Sequence, residues 1–477
     1  MAALAVLIGA LALTNQSLWI DEGSAALKAM EPSLGGWWQA LRSEGNSNLQ
    51  LIGELFYLWG WEKIFGNTEI ALRASNIPFF VGGVLALAWG LAPRRRLQTA
   101  VVLLVLTNAF LWYYLSEARP YLALFCFASL TAACLFRSVR ASEECLESTF
   151  WFHLFCIGII GLCATSLIAV PWALGALGAI LYGNGLNRTM RSALRCKTSS
   201  ILFIVTLGAL GLYYLWTLQV GARASDVGRT GWANVGFIFY ELTGLSGLGP
   251  GRLALRTNGI GELMRFVPRL ALGAIALLVL IVSALIELRG QAKRRHLIFF
   301  LFAVVIPFLV VIAAGVFAHM RLVGRHLTPL LPFLLAAMAF GLARLLEKPT
   351  IWTRATAFGT LAVVLVSALE IRFGPHFRRD DYRSAAAVAR TALDAGEKVW
   401  WLADVSTGRY YHVPFGSPQL TVTPDLSGPV TTPDLVIFSK PDIYDSSDAV
   451  RHYLTANGFT VTQILPAFEI LKRSPVR

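Results

Sequence analysis

Long apolar runs, separated by short charged breaks, make up most of the first 373 residues of the chain. A helix needs roughly 20 apolar residues to cross a hydrocarbon core of about 30 Å, and most of these runs are long enough. The predicted spans, about eleven in number, are residues 1–19, 71–91, 97–115, 121–136, 150–170, 171–181, 201–218, 269–288, 297–318, 327–345 and 355–371. This pattern predicts a polytopic α-helical membrane protein.

The pattern changes after residue 373, where strand and helix signals alternate up to residue 477. The predicted strands are residues 398–402, 435–439 and 459–465, and the predicted helices are residues 380–395 and 446–457. Each helix is followed by a glycine, Gly396 or Gly458, which is typical of a helix end. Roughly a hundred residues suffice for a small domain. We therefore expect a membrane domain of residues 1–373 and an α/β domain of residues 374–477.

Composition agrees with a membrane protein, because 56% of the residues are hydrophobic and only 14% are charged. A soluble chain of 477 residues needs more charge to cover its surface. The net charge of +13 would suggest nucleic acid as the partner of a soluble protein. Here basic loops that face the cytoplasm and anionic lipid explain it, so we expect membrane lipid and no nucleic acid as a partner.

Basic clusters fall at every second turn between the predicted spans. They are residues 94–96, 137–140, 188–197, 289–295 and 344–354. The positive-inside rule then predicts a cytoplasmic amino terminus, and we expect the protein to lie in a bacterial plasma (inner) membrane. Asp21, Arg119, Arg325 and the C-terminal domain are expected on the opposite, extracytoplasmic face.

The candidate chemistry starts at Asp21 and Glu22, which follow Trp19 at the end of the first apolar run and open a long outer loop, residues 20–70. A carboxylate at the membrane rim loses hydration that something must replace. The pair either marks the start of a loop and does nothing more, or includes a proton acceptor for a substrate hydroxyl.

Arginines at the ends of other runs are predicted to reach the same face. Arg119 and Arg325 can hold a phosphate by paired, charge-assisted hydrogen bonds. The alternative for each is an arginine that extends to lipid headgroups. Lys28 and Arg42 are weaker candidates for phosphate binding, and the candidates for the substrate pocket are Tyr121, His326 and Glu117. Glu117 has the alternative role of neutralising Arg119.

Other polar residues are expected to be structural. Residues 49–65 are predicted to form a helix along the membrane surface, with Glu54, Glu62 and Lys63 on its solvated face. The six cysteines form no CxxC pair, and none lies in a predicted outer loop, so we expect no disulfide. We expect no metal site and no cofactor, although a divalent metal is compatible with the sequence.

Several segments carry a resemblance to a known superfamily. Residues 19–22, Trp-Ile-Asp-Glu, resemble the motif of the first outer loop in GT-C glycosyltransferases. They are most similar to the branch of protein O-mannosyltransferases and aminoarabinose transferases, which is glycosyltransferase family 39-like. Further segments similar to that branch are residues 58–73, 116–121, 325–332 and 380–386. The order of these motifs along the chain matches the branch from end to end.

The resemblance implies a membrane enzyme that moves a hexose or pentose from a polyprenyl-phosphate donor to a hydroxyl of a glycan, lipid or protein. It implies that Asp21 is the general base of an inverting displacement. Glu22 would then orient the loop or the acceptor, and Arg119 and Arg325 would stabilise the departing phosphate. Loop residues 219–268 are expected to form most of the pocket that selects the sugar, the lipid chain and the acceptor.

The main alternative is a transporter or flippase of lipid-linked solutes. It predicts ionisable residues near the bilayer midplane and broken helices in repeated halves, neither of which the sequence shows. A catalytically inactive relative is a third possibility, but intact Asp21 and Glu22 disfavour it.

Overall fold

The structure is a computed structural model that describes residues 1–44, 47–144, 149–184, 186–220, 230–252, 254–255, 259–289, 294–347, 350–428 and 431–473. Helices of the membrane part are α1 Ala2–Ala12, α2 Ile20–Ala29, α3 Leu34–Glu44, α4 Ile52–Phe65, α5 Glu69–Ala74, α6 Asn76–Gly90, α7 Arg95–Thr107, α8 Ala109–Leu115, α9 Tyr121–Glu144, α10 Thr149–Thr165, α11 Val170–Asn184, α12 Leu186–Arg195, α13 Lys197–Val220, α14 Trp232–Leu242, α15 Val267–Leu288, α16 Arg294–Phe300, α17 Ile306–Phe317, α18 Leu331–Glu347 and α19 Ile351–Phe373.

Every predicted span contains an apolar helix. Within the described ranges, seven helical segments are long and apolar enough to cross a membrane, and the bent pair α7–α8 makes an eighth. Three further apolar helices, at Ala2–Ala12, Phe150–Thr165 and Leu167–Gly183, are shorter. The α-helical integral membrane fold is confirmed, while the count of eleven crossings stays a prediction. Orientation also stays a prediction, and residues 290–293 and 348–349 of the basic clusters lie outside the described residues.

The bend between α7 and α8 has a local cause at Asn108. The two helices meet at 53°, and the Asn108 side chain accepts a hydrogen bond from the Leu111 N–H at 3.1 Å, which caps the start of α8. Its amide donates to the carbonyl of Leu242 in α14 at 3.3 Å. The bend therefore fixes the turn that carries Glu117 and Arg119 between α8 and α9.

The C-terminal domain is a small sheet with helices, as the sequence predicts. Its helices are α20 Tyr382–Asp394, α21 Val405–Tyr410, α22 Pro441–Tyr444 and α23 Ala449–Ala456, and its strands are β1 Val399–Leu402, β2 Leu420–Val422, β3 Leu435–Ser439, β4 Phe459–Leu465 and β5 Phe468–Arg473. The strand order is β2-β1-β3-β5-β4. Strand β1 pairs in parallel with β2 and β3, whereas β5 is antiparallel to β3 and β4.

Strands β1, β3 and β4 coincide with the predicted ones, and Gly396 and Gly458 both have the positive φ of a helix end. The sequence analysis missed β2 and β5. Strand β2 has only three residues. Strand β5 follows a turn at Pro466 and Ala467 that lacks the usual Asn-Gly or Asp-Gly signal, and Ala467 adopts a φ of 65°.

The outer loop 20–70 and the C-terminal domain share one hydrophobic core. Buried residues of α2, α3 and α4, such as Ala26, Trp37 and Leu58, belong to the same cluster as Ala385 and Trp401. Residues of loop 20–70 and of the C-terminal domain therefore fold as one packed layer at one end of the bundle. The prediction that Glu54 lies on a solvated face is wrong, because only 3% of the residue is exposed.

The close contact of α2 with α21 of the C-terminal domain requires a glycine at position 23. A Cβ added to Gly23 would lie 2.7 Å from the Cα atom and 2.3 Å from the Oγ1 atom of Thr407. Backbone cannot move aside as a flexible side chain can, so α2 and α21 would have to separate. No side chain at residue 23 is compatible with the present packing.

We expect Gly23→Ala to destabilise the protein by about 1–3 kcal/mol, because overpacking forces the two helices apart. Thermal unfolding of the detergent-solubilised protein measures this. Gly60→Ala is the matched control, since Gly60 lies inside α4 with open space around its Cα and alanine favours a helix. Equal unfolding temperatures for the two variants would contradict the contact.

Candidate active site

A cavity of about 1630 Å³ lies where the helix bundle meets the C-terminal domain. Typical small-molecule pockets measure roughly 300–1,000 Å³, so this one has room for a ligand larger than a single sugar. Five residues named from the sequence line it: Asp21, Arg119, Tyr121, Arg325 and His326. Residues from distant parts of the chain therefore converge on one space.

Asp21 occupies the first turn of α2 and opens onto the cavity, with 31% of its side chain exposed. Its carboxylate lies 3.4 Å from Nη1 of Arg325. Nη1 of Arg119 donates to the backbone carbonyl of Asp21 at 3.4 Å and to Oδ1 of Asn48 at 3.0 Å. Burial raises the pKa of Asp21, but Arg119, Arg325 and Lys440 together outweigh it and hold that pKa below its ordinary value. Asp21 is therefore a carboxylate at neutral pH.

Arg325 is held in a short 3₁₀ turn, Gly324–Leu330, that precedes α18. The Gly324 N–H donates to Oε2 of Glu241 at 2.8 Å, which fixes the start of the turn. The guanidinium of Arg325 lies 5.4 Å from the ring centre of Trp19 and 5.7 Å from that of Tyr121. These aromatic rings stabilise the cation beside the cavity that it lines.

Both arginines keep a buried donor unused. Nε of Arg119 and Nε of Arg325 have no hydrogen-bond partner among the described residues. Buried donors are normally paired, so an unpaired one next to a cavity suggests an acceptor that arrives with a ligand. Nδ1 of His326 is already occupied, because it accepts from the Val323 N–H at 3.1 Å.

Glu22 is fully buried and does not line the cavity. Its carboxylate accepts hydrogen bonds from Nε and Nη2 of Arg73 at 2.8 and 2.7 Å and from the Ala118 N–H at 3.0 Å. Arg379 adds a contact at 3.2 Å. Burial raises the pKa of Glu22, but the two arginines outweigh it and keep the carboxylate ionised. The geometry fits a residue that positions α2 and gives no support for direct contact with a substrate.

Lys28 and Arg42 also lie away from the cavity. Lys28 is buried, donates to Oγ of Ser24 at 2.8 Å and pairs with Glu44 at 2.5 Å. Arg42 is exposed on α3. The structure therefore gives no support for phosphate-binding roles of these two residues.

Glu117 has a different partner from the one considered in the sequence analysis. It is fully buried, and its carboxylate lies 3.4 Å from Nη1 of Arg379. Burial raises the pKa of Glu117, and the nearby Glu22 charge adds to this. Glu117 therefore neutralises Arg379 rather than Arg119, and it does not line the cavity.

Several cavity residues were not predicted. Arg252 lies in loop 219–268, donates through Nε to Glu241 at 2.7 Å and lies 4.9 Å from the ring centre of Tyr113. The C-terminal domain and its linker contribute Arg379, Asp380 and Lys440. The one available signal was proximity in sequence, because Arg379 directly precedes the motif at 380–386. Within loop 219–268, residues 221–229, 253 and 256–258 lie outside the described residues.

The charge of the cavity is strongly asymmetric. Its described lining contains seven basic side chains and two acidic ones, Arg119, Arg252, Arg321, Arg325, Arg378, Arg379, Lys440, Asp21 and Asp380. Apolar side chains such as Leu124, Phe237, Leu270 and Val311 form much of the remaining wall. An anionic head on a long apolar body matches this arrangement. Within the described ranges, no group of three or more His, Cys, Asp and Glu side chains is placed to hold a metal.

Comparison with known proteins identifies the fold. No protein-family model and no curated protein sequence matches the chain. The crystal structure of ArnT from Cupriavidus metallidurans in the apo state matches with a TM-score of 0.51 and 14% identity over 99% of this chain and 98% of that one. The structure of the same protein bound to undecaprenyl phosphate gives 0.53 and 13% over 99% and 97%. The resemblance to the aminoarabinose transferase branch is thus confirmed for the fold, which this chain shares over nearly its whole length.

Proposed function

We propose that the protein is a membrane glycosyltransferase that moves a sugar from a polyprenyl-phosphate donor to an acceptor hydroxyl. The observation that carries this proposal is the cavity, whose lining combines apolar walls with clustered cations and the ionised carboxylate of Asp21. An ArnT structure of the same fold holds undecaprenyl phosphate, a ligand of this chemistry. The proposed location is the bacterial inner membrane, with the site and the C-terminal domain extracytoplasmic.

The donor phosphate would bind between Arg119 and Arg325. Both guanidinium groups line the cavity, and each has a buried Nε that is unpaired within the described residues. Charge-assisted hydrogen bonds from arginine to phosphate are strong and directional. The polyprenyl chain would lie along the apolar wall.

Transfer would proceed by one displacement. The acceptor oxygen attacks the anomeric carbon while the Asp21 carboxylate takes its proton. The bond from that carbon to the phosphate oxygen breaks, and polyprenyl phosphate leaves with the electron pair. Because the attack comes from the opposite face, the configuration at the anomeric carbon is inverted. Arg119 and Arg325 stabilise the charge on the departing phosphate, so no strong general acid is needed.

Donor binding would also strengthen the base. The same cations that lower the pKa of Asp21 would be partly neutralised by the phosphate. The pKa of Asp21 would then rise toward its ordinary value, and its proton affinity would increase when the donor is in place. An unloaded site would hold a weaker base.

Glu22 and Arg379 would keep Asp21 in position. Glu22 adjoins Asp21 in α2 and is bound by Arg73, Ala118 and Arg379, which come from three separate segments. Arg379 is itself buried, with 7% of its side chain exposed, and contacts Glu117 as well. Removing one partner from a buried ion network leaves an uncompensated charge, which costs several kcal/mol.

The transporter alternative is less well supported. Arg119 lies two residues before one candidate span, Tyr121–Ser138, and Arg325 lies at the start of another, Gly324–Glu347. A solute pathway would place such charges near the bilayer midplane.

Asp21→Asn is expected to lower kcat by about 10²–10⁴-fold, because it keeps the shape of the side chain and removes the basic oxygen. Transfer from a radiolabelled polyprenyl-phosphate sugar measures the loss. Asp394→Asn, the same change at an exposed position of α20, should retain full activity. An Asp21→Asn enzyme with unchanged kcat would exclude the proposed base.

Arg119→Ala is expected to weaken donor binding about 10–100-fold, since a hydrogen bond to a charged group contributes roughly 1.5–3 kcal/mol. Titration of the variant with polyprenyl phosphate measures the dissociation constant directly. The control is Arg96→Ala, which removes an exposed arginine that pairs with Glu347. Identical affinities of wild type and Arg119→Ala would remove Arg119 from the phosphate site.

Arg379→Gln is expected to destabilise the protein by about 3–5 kcal/mol and to lower kcat, because it leaves buried carboxylate charge without its cation. The double variant Glu117→Gln/Arg379→Gln restores charge balance and should recover part of both losses. Thermal unfolding and transfer rates of the two single variants and the double variant form the cycle.

Arg390→Gln, at an exposed position of α20, controls for the chemical change. Strictly additive effects of the two substitutions would show that Glu117 and Arg379 do not act as a pair.

A further inference from the structure

Lys440 has an unusual backbone conformation at the end of β3. Its φ and ψ are 43° and 73°, in the left-handed region that long side chains rarely adopt. It also precedes Pro441, and a residue before proline is normally extended. Unfavourable backbone conformations tend to occur at functional sites, where the surrounding structure imposes them.

This conformation places the Lys440 side chain in the cavity. Only 8% of the side chain is exposed, and its ammonium group lies 5.9 Å from the ring centre of Trp19. Trp19, Asp21 and Asp380 line the same cavity. The charge of Lys440 also acts on the Asp21 carboxylate. A residue of the C-terminal domain thus reaches the end of the cavity where Asp21, Arg119 and Arg325 converge.

The ammonium group of Lys440 has N–H donors beyond the one that it gives to Asp380. Nζ donates to Oδ2 of Asp380, and the described residues supply no other hydrogen-bond partner for it. An ammonium carries three N–H donors, so two are available to a ligand. An ion pair of the same domain that lies at the surface, Lys472 with Glu397, differs in burial, because its lysine side chain is 48% exposed.

We propose that Lys440 binds an anionic phosphate-type oxygen of a substrate, so that the C-terminal domain supplies part of the binding site. This inference rests on the proposed function. The oxygen belongs either to the phosphate of the polyprenyl donor or to an anionic group of the acceptor. Asp380 holds the ammonium in place and competes with that oxygen for its donors.

The competing explanation is an ion pair that only joins the linker to β3. The two explanations differ in the effect of Asp380→Asn. If Lys440 binds a substrate anion, Asp380→Asn removes a competitor and leaves affinity equal or higher, whereas Lys440→Met lowers it. If the ion pair of Lys440 with Asp380 only stabilises the fold, both variants lose stability and affinity together.

The experiment titrates the full-length protein in detergent with polyprenyl phosphate, and separately with inorganic phosphate while polyprenyl phosphate is saturating. Variants are Lys440→Met, Lys440→Arg, Asp380→Asn and the control Lys472→Met, which removes an exposed lysine of the same domain. Thermal unfolding is recorded for each variant.

We expect Lys440→Met to weaken one of the two ligands at least tenfold, Lys440→Arg to keep most of the affinity and Lys472→Met to match wild type. Weaker binding of polyprenyl phosphate assigns the oxygen to the donor. Weaker binding of inorganic phosphate alone assigns it to the acceptor.

Unchanged affinity of Lys440→Met for both ligands would overturn the inference. So would parallel losses of stability and affinity in Lys440→Met and Asp380→Asn. Failure of the wild type to bind polyprenyl phosphate would contradict the proposed function instead, and a titration with inorganic phosphate alone would then test Lys440.

Discussion

A buried ion network around Glu22 is the constraint on which the site depends. Arg73 binds the Glu22 carboxylate with two hydrogen bonds and also donates to the carbonyls of Thr14, Gln16 and Ser17 at the end of the first apolar run. A carboxylate without exposure is stable only when such partners surround it. The adjacent residue, Asp21, is therefore fixed with respect to the bundle while part of its side chain stays exposed to the cavity.

The C-terminal domain is part of this arrangement. Helix α2 packs against α21 at Gly23. The linker before α20 contains Arg379, which contacts Glu22 and Glu117. One hydrophobic core then joins the outer loop to the domain. Because the cavity lies between these packed parts, its shape depends on the domain as much as on the spans.

Electrostatics gives the site its proposed specificity. The cations that surround Asp21 keep it ionised in spite of partial burial, and in the proposed function they would also attract the anionic group of a donor. Binding and base strength would then be coupled, since a phosphate bound between Arg119 and Arg325 would partly neutralise the cations that lower the pKa of Asp21. Glu54 shows the opposite balance. It is buried and has no hydrogen-bond partner among the described residues, and burial outweighs the charge of Arg119 and raises the pKa of Glu54 to about 7.

Local patterns determined the membrane helices, the small sheet domain and the positions of Asp21, Arg119 and Arg325 at the ends of apolar runs, because hydrophobic period and charge at span ends are local properties. Tertiary structure decided which side chains face the cavity. Asp21 and Glu22 are neighbours in sequence, yet successive helix positions point in different directions, so one opens onto the cavity and the other is enclosed. The partnership of Glu22 with Arg379 spans 357 residues, and no local pattern encodes an ion pair made only by folding.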